Sequence, residues 1–289
     1  MEESLAFVAE RQIQENQSVL TAAEFVAEAV PQRAGQAAVL SPGTAQERLV
    51  VADGAVTLPE GDFSIEAVVL LHSVFQDGRV RTIASQWNGD HSQSGWSLGI
   101  TGMGSHRKPY MPVFQLVGPG VDGRVVEEPV FSEIQLQMDR SYYIAAAVQF
   151  SPQGKSSVTF YIKDLANDDE PIRTTTVPHP LQGPLRPGFP LVIGDTHGTG
   201  RRLWDGLVDE VRLRRGAISE PALSLKAPNL SADTIACWQF EPAHGHRHDA
   251  VSGTENILPG QTSSTTARLT AITDFCHSLM GSSAMLYVE

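Results

Sequence analysis

The feature that most constrains the fold is a hydrophobic period of two that begins near residue 48. Up to residue 216, about a dozen short segments are alternating or wholly apolar, with turn signals such as QDGR, SPQGK and NDDEP between them. Strands without intervening helical patterns predict an antiparallel sandwich or jelly roll. The segments are RLVVA, AVTL, FSIEAVVLL, RTIASQW, GWSLGI, PVFQLVG, EIQLQM, SYYIAAAVQF, SVTFYIK, IRTTTV, PLVIGD and GLVDEVRLRR.

The beginning of the chain has a helical pattern instead. Thr21 to Glu24 have the spacing of a capping box, and an apolar stripe follows before Pro31. This pattern predicts a short helix that ends at the proline. The stripe consists of Phe25, Val26, Ala29 and Val30. The small, polar residues from 31 to 47 predict a linker.

A second short helix is predicted at the other end of the chain, before Gly281. Its apolar stripe consists of Leu269, Ile272, Cys276 and Leu279. We therefore divide the chain into an N-terminal helix and linker (1–47), a sandwich (48–258) and a C-terminal linker and helix (259–289). Within the sandwich, the strands of 48–216 form the core and 217–258 form an extension.

The formal net charge of −12 over 289 residues argues against a nucleic-acid partner, because phosphate binding needs a basic patch. No apolar run approaches the roughly 20 residues that span a bilayer. The acidic start, MEESLAFVAE, lacks the basic and apolar regions of a signal peptide. Two cysteines, Cys237 and Cys276, are too few for a disulfide framework.

Several segments resemble laminin-G-like domains, which belong to the concanavalin A-like lectin and glucanase jelly rolls. The resemblance rests on LPEGDFSIEAVVLL, IASQWN, GWSLGI, YYIAAAVQF, VTFYIKD, LVIGD and LWDGLVDEVRLRRGAIS, which occur in that order. It implies a two-sheet concanavalin A-like jelly-roll sandwich. One departure is Val68, where the family often has tryptophan.

The end of the chain is similar to the tail of planctomycete-type multidomain surface proteins. The segments that carry this likeness are ADTIACWQFEPAHGHRHDAVSG and DFCHSLMGSSAMLYVE. In such proteins a laminin-G-like module accompanies cytochrome c-like domains and domains of unknown function. The likeness implies a piece of a larger bacterial, extracytoplasmic protein, whose neighbouring domains would be its partners and whose export signal could lie upstream.

Asp209 stands out in the strand WDGLVDEVRLRR. Because side chains alternate across a strand, Asp209 shares the apolar row of Leu207, Val211 and Leu213. A buried carboxylate needs donors or a cation. We favour backbone N–H donors from a neighbouring loop. The resemblance leaves a structural Ca²⁺ site open as the alternative, with Asp209 as the first metal candidate.

Asp195, at the end of LVIGD, is the second metal candidate, although a turn-forming role is favoured there. Glu66 lies opposite the apolar row of its own strand. In sandwiches that resemble this one, that strand neighbours the closing strand. A cross-strand ion pair of Glu66 with Arg212 or Arg214 is therefore a hypothesis, and at an exposed site it would contribute under about 1 kcal/mol.

Exposed aromatic rings in loops would favour carbohydrate binding, because a ring can stack on a sugar face. Trp87 leads into a loop with polar side chains, and the next loop carries a tyrosine. An edge-capping role for Trp87 is the equal alternative. The candidate ligand-binding residues are Trp87, Asn88, Asp90, His91 and Tyr110.

A glucanase needs two carboxylates that flank the bond, and the relatives place theirs in an E-x-D-x-x-E pattern that is absent here. Asp209 and Glu210 are adjacent and should point to opposite faces. We therefore expect a non-catalytic module with a carbohydrate or protein ligand. A polysaccharide-acting enzyme and a purely structural spacer are the alternatives.

Overall fold

The strands pair into two antiparallel sheets that pack face to face. The computed structural model describes residues 25–31, 33–151, 155–198, 201–225 and 230–258. The strands are β1 (Ala27–Glu28), β2 (Ala37–Leu40), β3 (Leu49–Val50), β4 (Phe63–Leu71), β5 (Val80–Gln86), β6 (Gly95–Thr101), β7 (Pro112–Pro119), β8 (Val125–Phe131), β9 (Ser141–Gln149), β10 (Ser157–Asp164), β11 (Arg173–Pro178), β12 (Val192–Ile193), β13 (Gly206–Arg215), β14 (Thr234–Trp238), β15 (His248–Asp249) and β16 (Thr254–Glu255).

Sheet A has the order β11-β10-β9-β4-β13-β14-β15-β16, and β2 pairs with β13 while β1 pairs with β2. Sheet B has the order β3-β12-β5-β6-β7-β8. The two-sheet antiparallel sandwich predicted from the sequence is confirmed. Some neighbouring strands are distant in sequence, such as β4 and β13. A jelly roll requires such pairs, because strands from the two ends of the chain lie side by side in one sheet.

The core fills the space between the sheets. Each central strand contributes every second side chain to it, for example Phe63, Ile65 and Ala67 from β4. Phe114 and Trp96 of sheet B stack at a centroid distance of 5.8 Å inside this layer. Because burial of such side chains is the main driving force of folding, the alternation along the strands sets which face of each sheet turns inward.

A β-bulge interrupts the alternation in β13. The register with β4 shifts between Asp209 and Arg212, and Glu210 has φ +47°. Val208 and Val211 both reach the core, whereas Leu207 packs in a second apolar cluster on the outer face of sheet A. An extra residue in one strand reverses the faces beyond it. Asp209 therefore stays on the outer face with Leu207, whereas Val211 and Leu213 turn to the core, so the apolar row expected from alternation is divided between the two faces.

The N-terminal segment differs from its predicted structure. Residues 25–30, expected to form the apolar stripe of a helix, include strand β1 and contain no helix. Within the expected linker 31–47, strand β2 pairs with residues 206–208 of β13. Turn residues on both sides of this short strand hide it in the sequence. The capping box at 21–24 lies outside the described residues.

Helical structure in the described part of the chain consists of two 3₁₀ turns, Glu220–Ala222 and Pro242–His244. The helix expected before Gly281 lies outside the described residues. Across the described ranges, no helix has the length and apolar character needed to cross a bilayer.

Candidate functional site

Asp209 lies on the outer face of sheet A, where Arg33 of the N-terminal segment covers it. Nε of Arg33 is 2.6 Å from Oδ2 of Asp209, and Nη2 of the same guanidinium donates to Oε2 of Glu210. Two predictions are therefore wrong. Asp209 does not point into the core, and it does not lie opposite Glu210. The bulge turns both carboxylates toward one guanidinium, which takes the place expected for backbone donors.

The environment of Asp209 disfavours its charge. The residue is only 4% exposed, and burial raises the pKa of its carboxyl to about 7 although Arg33 acts in the opposite direction. The nearby carboxylate of Glu241 raises this pKa further. Desolvation therefore outweighs the ion pair at this position.

Beside Asp209, a polar layer crosses the outer face of sheet A. We use this name for Glu66, Tyr143, Arg212, Arg214 and Ser224. Nε of Arg214 is 2.6 Å from Oε1 of Glu66, which confirms the expected cross-strand ion pair. The pair is buried rather than exposed, since Glu66 is 2% and Arg214 5% exposed.

Hydrogen bonds complete the polar layer. The Tyr143 hydroxyl donates to Oε2 of Glu66, and Oγ of Ser224 accepts from Arg212 and Arg214. Burial, followed by the charge of Glu66, raises the pKa of Tyr143 well above its usual value, so the hydroxyl remains a donor. These contacts satisfy buried charges and therefore have a structural role.

Asp195 is fully buried in the loop after β12. Nη1 of Arg48 is 3.0 Å from Oδ2 of Asp195, and the backbone N–H of Arg202 donates to Oδ1 at 3.1 Å. Burial raises the pKa of this carboxyl, while the Thr196 backbone N–H and Arg48 oppose the shift. The side chain ties the loop to the segment before β3.

The two metal candidates do not form one site, because Asp209 lies on sheet A and Asp195 follows a strand of sheet B. Within the ranges that the structure describes, no group of three or more His, Cys, Asp or Glu side chains is arranged to hold a metal ion. Each candidate carboxylate instead faces an arginine. Calcium binding at Asp209 or Asp195 stays the alternative that the resemblance leaves open, and a chelator experiment tests it below.

Trp87 follows β5 directly and is buried, with 0% exposure. Its Nε1 donates to the backbone oxygen of Asp90 at 2.8 Å, and the Arg202 guanidinium lies 5.0 Å from its ring centroid. A Cβ at Gly95 would lie 2.8 Å from Cδ1 of this ring. The expectation of an exposed ring is therefore wrong, because the glycine and its own loop enclose it.

The loop that follows keeps its exposed polar groups. Oδ1 of Asp90 accepts from the backbone N–H and the hydroxyl of Ser92, which holds the pKa of Asp90 below its usual value. Asn88 accepts from the backbone N–H of Asp90 at 3.0 Å. His91 contacts the carboxylate of Glu127 in β8. A role of Asn88, Asp90 and His91 in ligand binding stays a prediction.

Tyr110 lies at the other end of the sandwich. Strand β6 separates its loop, residues 102–111, from the loop 87–94, and seven extended residues span about 20 Å. The Tyr110 hydroxyl contacts Sδ of Met103 at 2.8 Å. Tyr110 and the residues near Trp87 therefore do not form one site.

An open cleft of about 400 Å³ lies at the same end of the sandwich as the loop 87–94. We call it the rim cleft, and define it by residues 53–60, residues 185–190 and Gln86 at the end of β5. The backbone N–H of Arg186 donates to Oγ of Ser94 at 3.0 Å, which joins the cleft to the loop that sequence patterns single out.

The rim cleft combines one aromatic ring with several polar side chains. Phe189 is half-buried, and its ring centroid lies 5.3 Å from that of His197. Asp53, Glu60 and Arg186 are exposed around it. Sequence reasoning missed Phe189. The segment RPGFP places this aromatic residue between glycine and proline in a loop, which is the signal for sugar stacking that pointed to Trp87.

No family model and no curated protein sequence matches the chain. Among solved structures, the chain is similar to the full-length tailspike protein 2 of an Escherichia coli O157:H7 bacteriophage, with 14% identity and a TM-score of 0.55. The match covers 76% of this chain and 29% of the tailspike chain. The enzymatically active domain of the same tailspike gives 14% identity and a TM-score of 0.51, over 74% and 31% of the two chains.

A weaker likeness is to the CBM40 of a Ruminococcus gnavus sialidase bound to α2,3-sialyllactose. Identity there is 12%, the TM-score is 0.41, and 65% of this chain and 93% of that chain are covered. The tailspike likeness supports the β-sandwich fold alone. The chain spans under a third of the tailspike's length.

Proposed function

We propose that the chain is a non-catalytic module that binds a glycan in the rim cleft, as part of a larger extracytoplasmic protein. The observation that carries the proposal is the half-buried ring of Phe189 in an open cleft of about 400 Å³. Sugar rings have apolar faces that stack on aromatic side chains, and their hydroxyls need polar partners at the edge. The cleft offers both.

The surrounding geometry suits a ligand held at the surface. The cleft is built from loops, which present side chains on the rigid sandwich. At its base, Oε1 of Gln86 accepts from Nε1 of Trp96 at 3.3 Å, so the amide is oriented by the core. Since Nε2 of Gln86 also donates to the backbone oxygen of Val56, this buried amide fixes the wall of the cleft. The exposed charged side chains of Asp53, Glu60 and Arg186 provide the directional contacts to sugar hydroxyls.

Phe189→Ala tests the proposal. Wild type and variant are applied to a glycan array, and the bound glycans are then titrated by calorimetry. We expect Phe189→Ala to weaken binding at least tenfold with little change in melting temperature. Phe75→Ala is the matched control, because Phe75 is a half-buried ring in a loop at the opposite end. Equal affinities of wild type and Phe189→Ala would contradict the proposal.

A polysaccharide-acting enzyme is the competing function, and the bulge bears on it. Asp209 and Glu210 lie close enough to share one guanidinium, and a carboxyl with a pKa of about 7 suits a general acid. However, although both line a pocket of about 310 Å³ with Arg33, each is at most 5% exposed, which disfavours contact with a polymer. Release of reducing ends from a polysaccharide panel, lost in Asp209→Asn, would favour the enzyme.

Calcium is tested in the same experiments. Array binding and melting are repeated with a chelator and with added Ca²⁺. Because Asp209 and Asp195 already face arginines, we expect both readouts to be unchanged. A lower melting temperature in chelator, restored by Ca²⁺, would establish the calcium site instead.

A further inference from the structure

The charges that line the rim cleft do not balance. Its ionisable side chains are Asp53, Glu60 and Arg186, so the lining carries two carboxylates for one guanidinium. Nη2 of Arg186 lies 3.6 Å from Oε1 of Glu60, so the guanidinium already faces one of those carboxylates. The described lining therefore has a formal excess of one negative charge.

The groups behind Asp53 do not remove this excess. Burial lowers the pKa of His197, and Arg48 lowers it further, so this imidazole is neutral at pH 7 although Asp53 acts in the opposite direction. Arg48 itself pairs with Asp195. A cation held by another carboxylate contributes little to a site beyond it.

The loop joined to the cleft adds a further exposed carboxylate. Asp90, in the loop joined to the cleft, is ionised at neutral pH because hydrogen bonds from Ser92 lower its pKa. The chain as a whole has a formal charge of −12. Fields of one sign at a cleft raise the local concentration of oppositely charged ligands and disfavour ligands of the same sign.

We propose that the rim cleft selects glycans that carry a free amino group over neutral glycans, and neutral glycans over acidic ones. This inference rests on the proposed function and adds the chemical class of the ligand. A sugar ammonium beside Phe189 would supply the missing cation and donate charge-assisted hydrogen bonds to Asp53 or Glu60. A uronate, sulfate or sialic acid would bring a like charge to carboxylates that have little compensation.

Three probes of related size test the ligand class with the full chain. They are a glucosamine oligosaccharide, its N-acetylated counterpart, which has the same backbone without the charge, and an alginate oligosaccharide. We expect the amine-bearing oligomer to bind at least tenfold more tightly than the acetylated one, and alginate to bind most weakly. The preference should shrink as salt rises from 50 to 500 mM, because salt screens exposed charges.

Charge-neutralising variants test the residues. Glu60→Gln and Asp53→Asn should each lower the affinity for the amine-bearing oligomer about three- to tenfold and leave the acetylated oligomer unchanged. Glu133→Gln is the matched control, since it removes an exposed carboxylate at the opposite end of the sandwich. Equal losses in Glu60→Gln and Glu133→Gln would overturn the inference, as would tighter binding of alginate.

The two proposals fail separately in this design. Phe189-dependent binding without a preference for the amine overturns only the ligand class. Absence of binding to every glycan, with Phe189→Ala equal to wild type, overturns the proposed function itself. A lysine-rich peptide is included as a further probe, and tighter binding of that peptide than of any sugar would assign the cleft to a cationic protein segment and overturn both.

Discussion

The polar layer of sheet A and the rim cleft contain the same kinds of charged side chain in opposite environments. In the polar layer, Glu66 and Arg214 are 2.6 Å apart, and both are almost fully buried. In the rim cleft, Glu60 and Arg186 are 3.6 Å apart, with side chains 83% and 78% exposed. Residue type alone therefore does not separate a structural ion pair from one that can meet a ligand.

Burial makes the difference, because it determines whether a charged side chain can replace its protein partner by water or a ligand. A charge in the polar layer has lost its water and depends on its protein partner. A charge in the rim cleft keeps its water, gains under about 1 kcal/mol from its partner and can exchange that partner for a ligand. Stability should therefore respond to the polar layer, and binding to the rim cleft.

Glu66→Ala and Glu60→Ala give the largest expected difference in stability between the two regions. Loss of Glu66 leaves Arg214 buried without its carboxylate, and we expect a loss of about 3–5 kcal/mol in the free energy of unfolding. Glu60→Ala removes the same side chain from an exposed position and should change this free energy by less than about 0.5 kcal/mol. Urea unfolding measures both, and equal losses would refute the division between the two regions.

Trp87→Phe and Phe189→Ala compare a buried ring with a half-buried ring at the same end of the sandwich. Trp87→Phe loses the hydrogen bond to Asp90 and part of the buried volume, so we expect a loss of about 1–3 kcal/mol in stability. Phe189→Ala should change stability less and glycan affinity more. Thermal unfolding and calorimetric titration of both variants measure the two effects. If Trp87→Phe lost affinity at full stability, Trp87 would be a ligand contact after all.

The sequence predicted two kinds of strand. One has a core face and a solvent face, and the other is buried on both faces. FSIEAVVLL and SYYIAAAVQF form β4 and β9 as expected. The edge strand β8 was missed because Pro129 and two adjacent glutamates interrupt its pattern, as edge strands tolerate. EIQLQM alternates but forms no strand, since Leu136 reaches the core from an irregular segment.

The site was less predictable. It depends on which distant side chains form pairs and on where a bulge changes the alternation of a strand, and composition shows neither. The bulge at Glu210 had one visible signal, since Val208 and Val211 are both apolar at an odd spacing. The partner of Asp209 was not visible, because Arg33 lies far away in the chain. Trp87 was assigned to the surface from its loop, although burial depends on neighbours such as Gly95 that only the fold brings together.

Asp209 provides the most specific test, because it is a carboxylate on the outer face of sheet A whose charge is disfavoured by burial. Its pKa in the folded chain, about 7, lies above the ordinary 3.8, so the folded state binds its proton more tightly than the unfolded state. The stability that this proton provides is fully present below pH 3.8 and is lost as the pH rises to about 7. Relative to Asp209→Asn, wild type should therefore lose at most about 1.4 kcal/mol per pH unit in this window.

Urea unfolding of both proteins from pH 4.5 to 8 isolates this contribution, because other titrating groups cancel in the difference. One of them is His179, whose pKa burial lowers to about 4, so its contribution to stability changes in the opposite direction over the same window. Asp122→Asn, which removes a carboxylate whose side chain is 60% exposed, is the control for the loss of a surface charge. If wild type instead gained stability relative to Asp209→Asn as the pH rises, the ion pair with Arg33 would outweigh desolvation, and the folded state would hold Asp209 in its charged form.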